Sequence, residues 1–320
     1  MQKNSIILVA GANGLVGSAV VRCLKSKGYT NILTPSSKEV NLISQVATEA
    51  YFSDKRPEYV FMAAAKVGGI NANNTYRADF IYENLTIASN VVHYSHKTGV
   101  KGLLFYGSSC IYPKFAEQPI REDALLSGEM EPTNRPYALS KISGIELCDS
   151  YNRQYATDFR AIMPSNVYGI GDNFNLKNSH VLPALIRKFH EAKVGNINQV
   201  TLWGSGKPRR EFIYADDLAD AAIFVMNLDK EKLAAKSKQP HINVGCGEDI
   251  SIMELATIIK GIIGFNGEVI WDSSMPDGTM RKLMDVSTLD ELGWQHQTKI
   301  RTGIVQTYKW FLDNQEKLRL

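Results

Sequence analysis

An apolar run, a glycine turn and an amphipathic helical pattern open the chain, and the strand–helix alternation recurs through its first half. That rhythm predicts an α/β protein: a Rossmann-type doubly wound parallel sheet followed by a smaller C-terminal, substrate-binding α/β domain. A third observation sets the division. After Pro164 the alternation gives way to short strands and polar glycine turns. Residues 1–169 are therefore expected to form the dinucleotide-binding domain, with part of the later chain returning to it, and residues 170–320 mainly the second domain.

Ser5 to Ala10 is continuously apolar, as a parallel strand buried on both faces should be. It runs into Gly11-Ala12-Asn13-Gly14-Leu15-Val16-Gly17, and then into a helical pattern ending near Gly28. Gly11 permits the tight turn, Gly14 lets backbone N–H groups approach a pyrophosphate, and Gly17 allows close helix packing. A glycine triplet alone is weak; its place between strand and helix gives it weight. The next strand is expected at Asn31 to Thr34. The segment at its end, Thr34-Pro35-Ser36-Ser37-Lys38, contains no carboxylate to repel a 2′-phosphate. Ser36, Ser37 and Lys38 could bind one, which favours NADPH over NADH.

Val60 to Ala65 reads as the third strand, and Lys66 to Asn74 as a long polar loop at its ligand-facing end. A helix is expected over Phe80 to His96, a strand over Gly102 to Tyr106, and another over Ala161 to Met163. The strand at Tyr106 delivers Gly107-Ser108-Ser109-Cys110, and after Pro136 a helix should carry Tyr137 and Lys141 on one face. An ammonium one turn from a phenol is expected to lower its pKa, and such a Tyr can protonate a carbonyl that accepts a hydride. Tyr51 and Lys55 show the same spacing without a strand-end serine before them, and read as surface helix.

Composition bounds the function. The 320 residues are 44% hydrophobic and 22% charged, with a net charge of +3. With no long Lys/Arg run, nucleic acid is a poor partner. No stretch nears the ~18 apolar residues of a membrane span, and the N-terminal run does not read as a signal peptide. Cys23, Cys110, Cys148 and Cys246 are scattered without a CxxC pair, so no metal site or disulfide framework is expected and a reducing cytoplasm fits. Basic residues beside an aromatic in Trp203 to Phe212, and the turn Met275 to Lys282, suit a nucleoside diphosphate.

Assembled, these residues resemble the extended short-chain dehydrogenase/reductase superfamily, and within it the GDP-4-keto-6-deoxymannose 3,5-epimerase/4-reductases. The resemblance spans essentially the whole chain. It rests on Ala63 to Ile70, Ala78 to Tyr82, Gly107 to Lys114, Glu131 to Asn134, Trp203 to Gly206 and Pro276 to Thr279. It implies a reductase triad of Ser108, Tyr137 and Lys141, with Cys110 and His180 as the epimerisation pair. It places Lys188, Trp203, Arg210 and Asp277 on the GDP-sugar. Asn13, Leu15, Val16, Asn41, Ala64, Ser109, Pro164, Ser165, Asn166, Val167 and His180 fall on NADP contacts. It also implies a homodimer built on the helices near Ile81 and Tyr137. Two departures remove positive charge from the adenine end: Pro35 and Ser37 stand where the family often has arginines, and Ala12-Asn13 replace His-Arg. NADH therefore stays open as a second donor. So do a GDP-4-keto-6-deoxy-heptose substrate and an NAD-retaining 4-epimerase.

Overall fold

Strand β1 (Ile7–Ala10) alternates its side chains between two cores, and the other central strands repeat the division. The structure, a computed structural model, describes residues 1–275 and 277–317; Pro276 of the Pro-Asp-Gly-Thr turn lies outside them. In chain order the first half continues with α1 (Leu15–Ser26), β2 (Ile32–Leu33), α2 (Gln45–Lys55), β3 (Tyr59–Met62), α3 (Ile70–Thr75) and α4 (Arg77–Lys97). There follow β4 (Gly102–Tyr106), α5 (Arg135–Tyr155), β5 (Phe159–Pro164) and β6 (Asn166–Tyr168).

Five strands of this half lie in one parallel sheet in the order β2-β1-β3-β4-β5. Ile7, Val9, Phe61, Leu104, Tyr106 and Ile162 face a core shared with α1. Leu8, Val60, Met62, Leu103, Phe105 and Met163 face the opposite core, shared with α4 and α5. The two-residue period of a strand explains the division, and the scarcity of polar positions, Arg160 of β5 excepted, marks a sheet covered on both faces.

The second half supplies α6 (Val181–Val194), β7 (Gln199–Trp203), β8 (Arg209–Tyr214), α7 (Ala215–Asn227), α8 (Lys230–Lys236) and β9 (Ile242–Val244). It ends with β10 (Asp249–Ser251), α9 (Ile252–Ile263), β11 (Glu268–Asp272), β12 (Arg281–Lys282), α10 (Ser287–Leu292) and α11 (Ile300–Asp313). Strand β9 joins the large sheet beside β5, and α7 packs with α1 on its face. Strands β6, β10 and β12 surround β8, while β7 pairs with β11. A third core unites α6, α9 and α11. Among the described residues no helix is long and apolar enough to cross a membrane.

Several elements differ from expectation. Strand β2 has two residues instead of four, because the edge chain enters Pro35, which has no N–H for a ladder. Strand β3 ends at Met62; one further bond, from Ala63 N to Ala10 O (3.0 Å), continues the ladder before the chain turns away. The polar loop after it contains α3, whose Asn- and Thr-rich sequence has no apolar period to reveal it. Strand β5 is longer than read, at six residues.

Candidate active site

The sheet order reverses between β1 and β3, and ligands bind at the carboxyl ends of such a switch point. There Gly11 has φ +84°, and a Cβ on it would lie 2.6 Å from the Ala64 backbone nitrogen. A Cβ on Gly17 would collide with the Gly11 carbonyl oxygen. These glycines thus bring α1 and the Ala63–Ala64 backbone together. Gly14 precedes α1 without a side-chain cap, and the first turn, which holds Leu15, Val16 and Gly17, carries no acidic residue. Its leading N–H groups suit a phosphate.

At the end expected to hold the adenine, the turn that begins at Ser36 also carries a carboxylate, Glu39, one residue beyond Lys38. Glu39 accepts a 2.7 Å bond from Ser36 N, and Ser36 Oγ accepts from Glu39 N. Hydrogen bonding to the Ser36 backbone first, and to its side chain second, holds the Glu39 carboxyl below its ordinary pKa. Ser37 and Lys38 lie within that turn, and Asn41 Oδ1 accepts from Ile43 N at 3.1 Å. On the other flank Pro164 pairs with Val244, Asn166 Nδ2 donates to Glu211 O (2.8 Å), and Val167 pairs with Ile213. Ser165 is buried, and its hydroxyl has no partner.

Strand β4 ends at Tyr106 and delivers Ser108 in extended conformation to a short 3-10 turn over residues Ser109–Ile111. Ser108 Oγ accepts from Cys110 N at 3.3 Å and also hydrogen-bonds the Tyr137 phenol. Pro136 lies in the first turn of α5, fixing its start just before Tyr137. Lys141, one turn on, is buried; its Nζ donates to Tyr106 O at 2.7 Å and lies 5.7 Å from the Tyr137 ring centre. Ser109 is buried in the same turn.

The electrostatics correct one expectation. The Tyr137 phenol is shifted up, not down: burial is the main cause, Cys110 adds to it, and the Ser108 hydrogen bond opposes it. The ammonium expected to lower it is directed at the Tyr106 carbonyl, and burial brings Lys141 itself down to about 8. Tyr137 is accordingly held as a neutral phenol, a proton donor.

His180 stands at the cap position of α6 with an exposed side chain, and desolvation by the surrounding protein lowers its imidazole pKa. Gly69 N donates to Asn178 O at 3.0 Å, and a Cβ on Gly69 would lie 2.8 Å from Ser179 O. A Cβ on Gly68 would touch the Phe80 ring, and Phe80 meets Tyr137 edge-on at 6.1 Å. The loop after β3 therefore bridges the His180 segment to the Tyr137 helix.

The four nucleotide-side candidates also converge. Lys188 Nζ donates to Thr201 O (3.2 Å) and stands 5.8 Å over the Trp203 ring, which is 65% exposed. Asp277 accepts from Ser205 N (2.9 Å) and Ser205 Oγ (2.6 Å), and these bonds hold its carboxyl low. Arg210 donates to Thr279 O at 2.5 Å. Burial lowers its pKa, while Cys110 and Asp277 act against that shift. Arg210 thus lies within electrostatic reach of Cys110, a proximity that the spacing of residues 110 and 210 could not reveal.

The sheet and glycine cradle define a class of dinucleotide-dependent enzyme, and residues 7–245 match the NAD dependent epimerase/dehydratase family. GDP-L-fucose synthase of Escherichia coli K12 is 51% identical over 316 residues, 98% of each chain. Among solved structures, a GDP-6-OMe-4-keto-L-xylo-heptose reductase from C. jejuni superposes with a TM-score of 0.93 at 40% identity, over 98% of this chain and 99% of that one. MlghC, a GDP-mannoheptose C4 reductase from Campylobacter jejuni with NADP bound, gives 0.89 at 43% identity and the same coverage. Within that broad class, the chain belongs to the GDP-L-fucose synthase family.

Proposed function

We propose that the chain epimerises a GDP-4-keto-6-deoxy-hexose at C3 and C5 and then reduces its C4 ketone with NADPH, the GDP-L-fucose synthase reaction. One observation carries the reading: a thiol, a serine hydroxyl and a phenol meet at the end of β4 in a chain 51% identical to a GDP-L-fucose synthase. The glycine cradle, which a Cβ would fill at Gly11 or Gly17, fits a dinucleotide. NADPH would supply the hydride for C4, held by the first turn of α1, by Ser36 to Asn41 and by Pro164 to Val167. Residues 170–320 mainly hold the GDP-sugar: Arg210 and Lys188 face its diphosphate, Trp203 offers a stacking surface, and Asp277 accepts hydroxyl donors.

A C4 ketone acidifies the protons on C3 and C5, because the carbanion left behind is an enolate. Cys110, as thiolate, takes each proton at Sγ, and His180 returns one from the opposite face, which inverts the centre. Thiolate needs nearby positive charge, and the Arg210 guanidinium is the charged group we assign to that role, being within electrostatic reach of Cys110. In the reductive half Tyr137 gives its phenolic proton to the C4 oxygen, while Ser108 hydrogen-bonds that oxygen. Lys141 orients the nicotinamide ribose. The four cysteines are unpaired, which suits the reducing cytoplasm.

Replacing Cys110 with Ser tests the assignment. The variant should still oxidise NADPH but yield the unepimerised 4-reduced sugar, identified by NMR. Unchanged product stereochemistry would sink the role given to Cys110. The Campylobacter heptose reductases support a second substrate, one carbon longer. Supplying both GDP-4-keto sugars, with NADPH and then NADH, decides between them.

A further inference from the structure

Tyr112 closes the segment that carries Ser108 and Cys110, and its ring is 1% exposed. Its hydroxyl lies 2.5 Å from Asn243 Oδ1 and 3.0 Å from His241 Nε2. Both partners are as deeply buried as the tyrosine; Asn243 lies on β9, which the second half inserts beside β5, and His241 immediately precedes that strand.

The direction of every proton in this cluster can be assigned. Asn243 Nδ2 donates to the carbonyls of Ile120 (2.9 Å) and Asp285 (3.0 Å), so its amide is oriented with Oδ1 toward Tyr112. The Tyr112 hydroxyl must donate to that oxygen, which leaves its own oxygen as an acceptor. His241 Nε2 must then carry a proton. The imidazole is the neutral Nε2–H tautomer, as its burial favours. The outcome is a directional chain from His241 through Tyr112 and Asn243 to two backbone carbonyls in which every donor is used, with the acceptor His241 Nδ1 left without a partner; such chains rigidify a buried site.

We infer that Tyr112, His241 and Asn243 are positioning residues for Cys110, holding the 3-10 turn so that the thiol meets the substrate carbon. The inference rests on the epimerase reading above. Ser108 has anchors of its own: Tyr137 on α5, and the bond from Gly107 N to Ile162 O (2.9 Å) immediately before it. Cys110 leans on Ser108 through one 3.3 Å bond from its N–H to the Ser108 hydroxyl, and the turn around it is closed by the bonds from Ile111 N to Ser108 O (3.1 Å) and Tyr112 N to Ser109 O (3.4 Å). On its far side the chain is fixed through Tyr112. Loosening the tyrosine should therefore disturb proton abstraction more than hydride transfer.

Tyr112→Phe keeps the buried ring and removes only the hydroxyl. Epimerisation is read as deuterium uptake at C3 and C5 of GDP-4-keto-6-deoxymannose in D₂O without NADPH; reduction is read separately as NADPH oxidation. Since a ~1 Å misplacement can cost on the order of 10²-fold, the ratio of deuterium uptake to reduction should fall about 10-fold or more. Unepimerised product should rise with it. His241→Leu should behave the same way. His241→Gln, whose amide can donate to the Tyr112 oxygen, should restore the ratio. A ratio unchanged in both Tyr112→Phe and His241→Leu, or a parallel fall of both activities, would make the cluster merely structural and overturn the inference. Reduction without any deuterium uptake by the unaltered enzyme would instead overturn the epimerase reading.

Discussion

Lys141 is 5% exposed, and burial has brought its ammonium down to about 8. A group lowered in the folded state is charged there only below that value. An ammonium that orients the cofactor ribose should thus be lost on the alkaline side. The pH profile of kcat/KM for reduction, which reports the free enzyme, is expected to show a falling limb near pH 8; a flat profile from pH 7 to 9.5 would contradict it. The stability effect has its own sign. The cost of the buried charge is fully present below about pH 8 and is relieved as pH rises toward 10.5, so this residue's contribution improves with pH.

Asp172 behaves oppositely. It is buried, accepts from Asn173 N at 2.7 Å through Oδ1, and its Oδ2 has no partner. Burial raises its carboxyl to about 7 from 3.8. Between those values the folded chain keeps a proton that the unfolded chain releases, so stability falls as pH rises through the window. Asp172→Asn retains the Oδ1 acceptor and cannot ionise. Urea unfolding should find it roughly 2–4 kcal/mol more stable than the parent at pH 8, with little difference at pH 4.

At the scale of elements, the contact of α5 with β4 sets the geometry of the proposed catalytic residues. A Cβ on Gly144 would run into the Phe105 ring, so glycine lets the helix lie close enough for Lys141 to reach the Tyr106 carbonyl. Gly144→Ala should cost about 1–3 kcal/mol by overpacking, measurable as a lowered Tm. It should also reduce NADPH oxidation at temperatures where the variant remains folded, because Lys141 moves with its helix. Full activity with an unchanged Tm would refute this.

The central strands were legible because both of their faces are apolar, and the Tyr137/Lys141 pair because a strand end and a proline precede it. The copy at Tyr51 and Lys55 lies at the end of α2, shortly before β3 begins and with no strand-end serine preceding it. Helix α3 was not legible, since Asn71, Asn73 and Asn74 give no apolar period. Nor were the Glu39 turn and the pull of Cys110 on Arg210, which depend on folding and not on spacing. The partners of Tyr112 lie about 130 residues further along the chain, and no local pattern links them.

At the scale of the whole molecule, α4 and α5 have a second face to account for. Toward the sheet α4 buries Ile87, Ala88, Val91 and Val92. On the other side Ala78, Ile81, Pro136 and Leu139 line an apolar hollow between the two helices, flanked by Arg77 and Arg135. Tyr82 beside it is 64% exposed. Ala78, Tyr82 and Leu85 recur at helical spacing, which makes this an apolar stripe separate from the core. A second copy related by a two-fold axis would set the same stripe against itself and form four packed helices. Tyr137 belongs to the first turn of the helix whose Leu139 lines the hollow, so the dimer would also steady the proton donor. Sedimentation should find a dimer for the parent chain. Ile81→Glu, which sets two carboxylates near each other across the axis, should give a monomer with weakened reductase activity. A parent chain that sediments as a monomer at micromolar concentration would remove the dimer from this account, while a fully active monomeric variant would remove only its link to Tyr137.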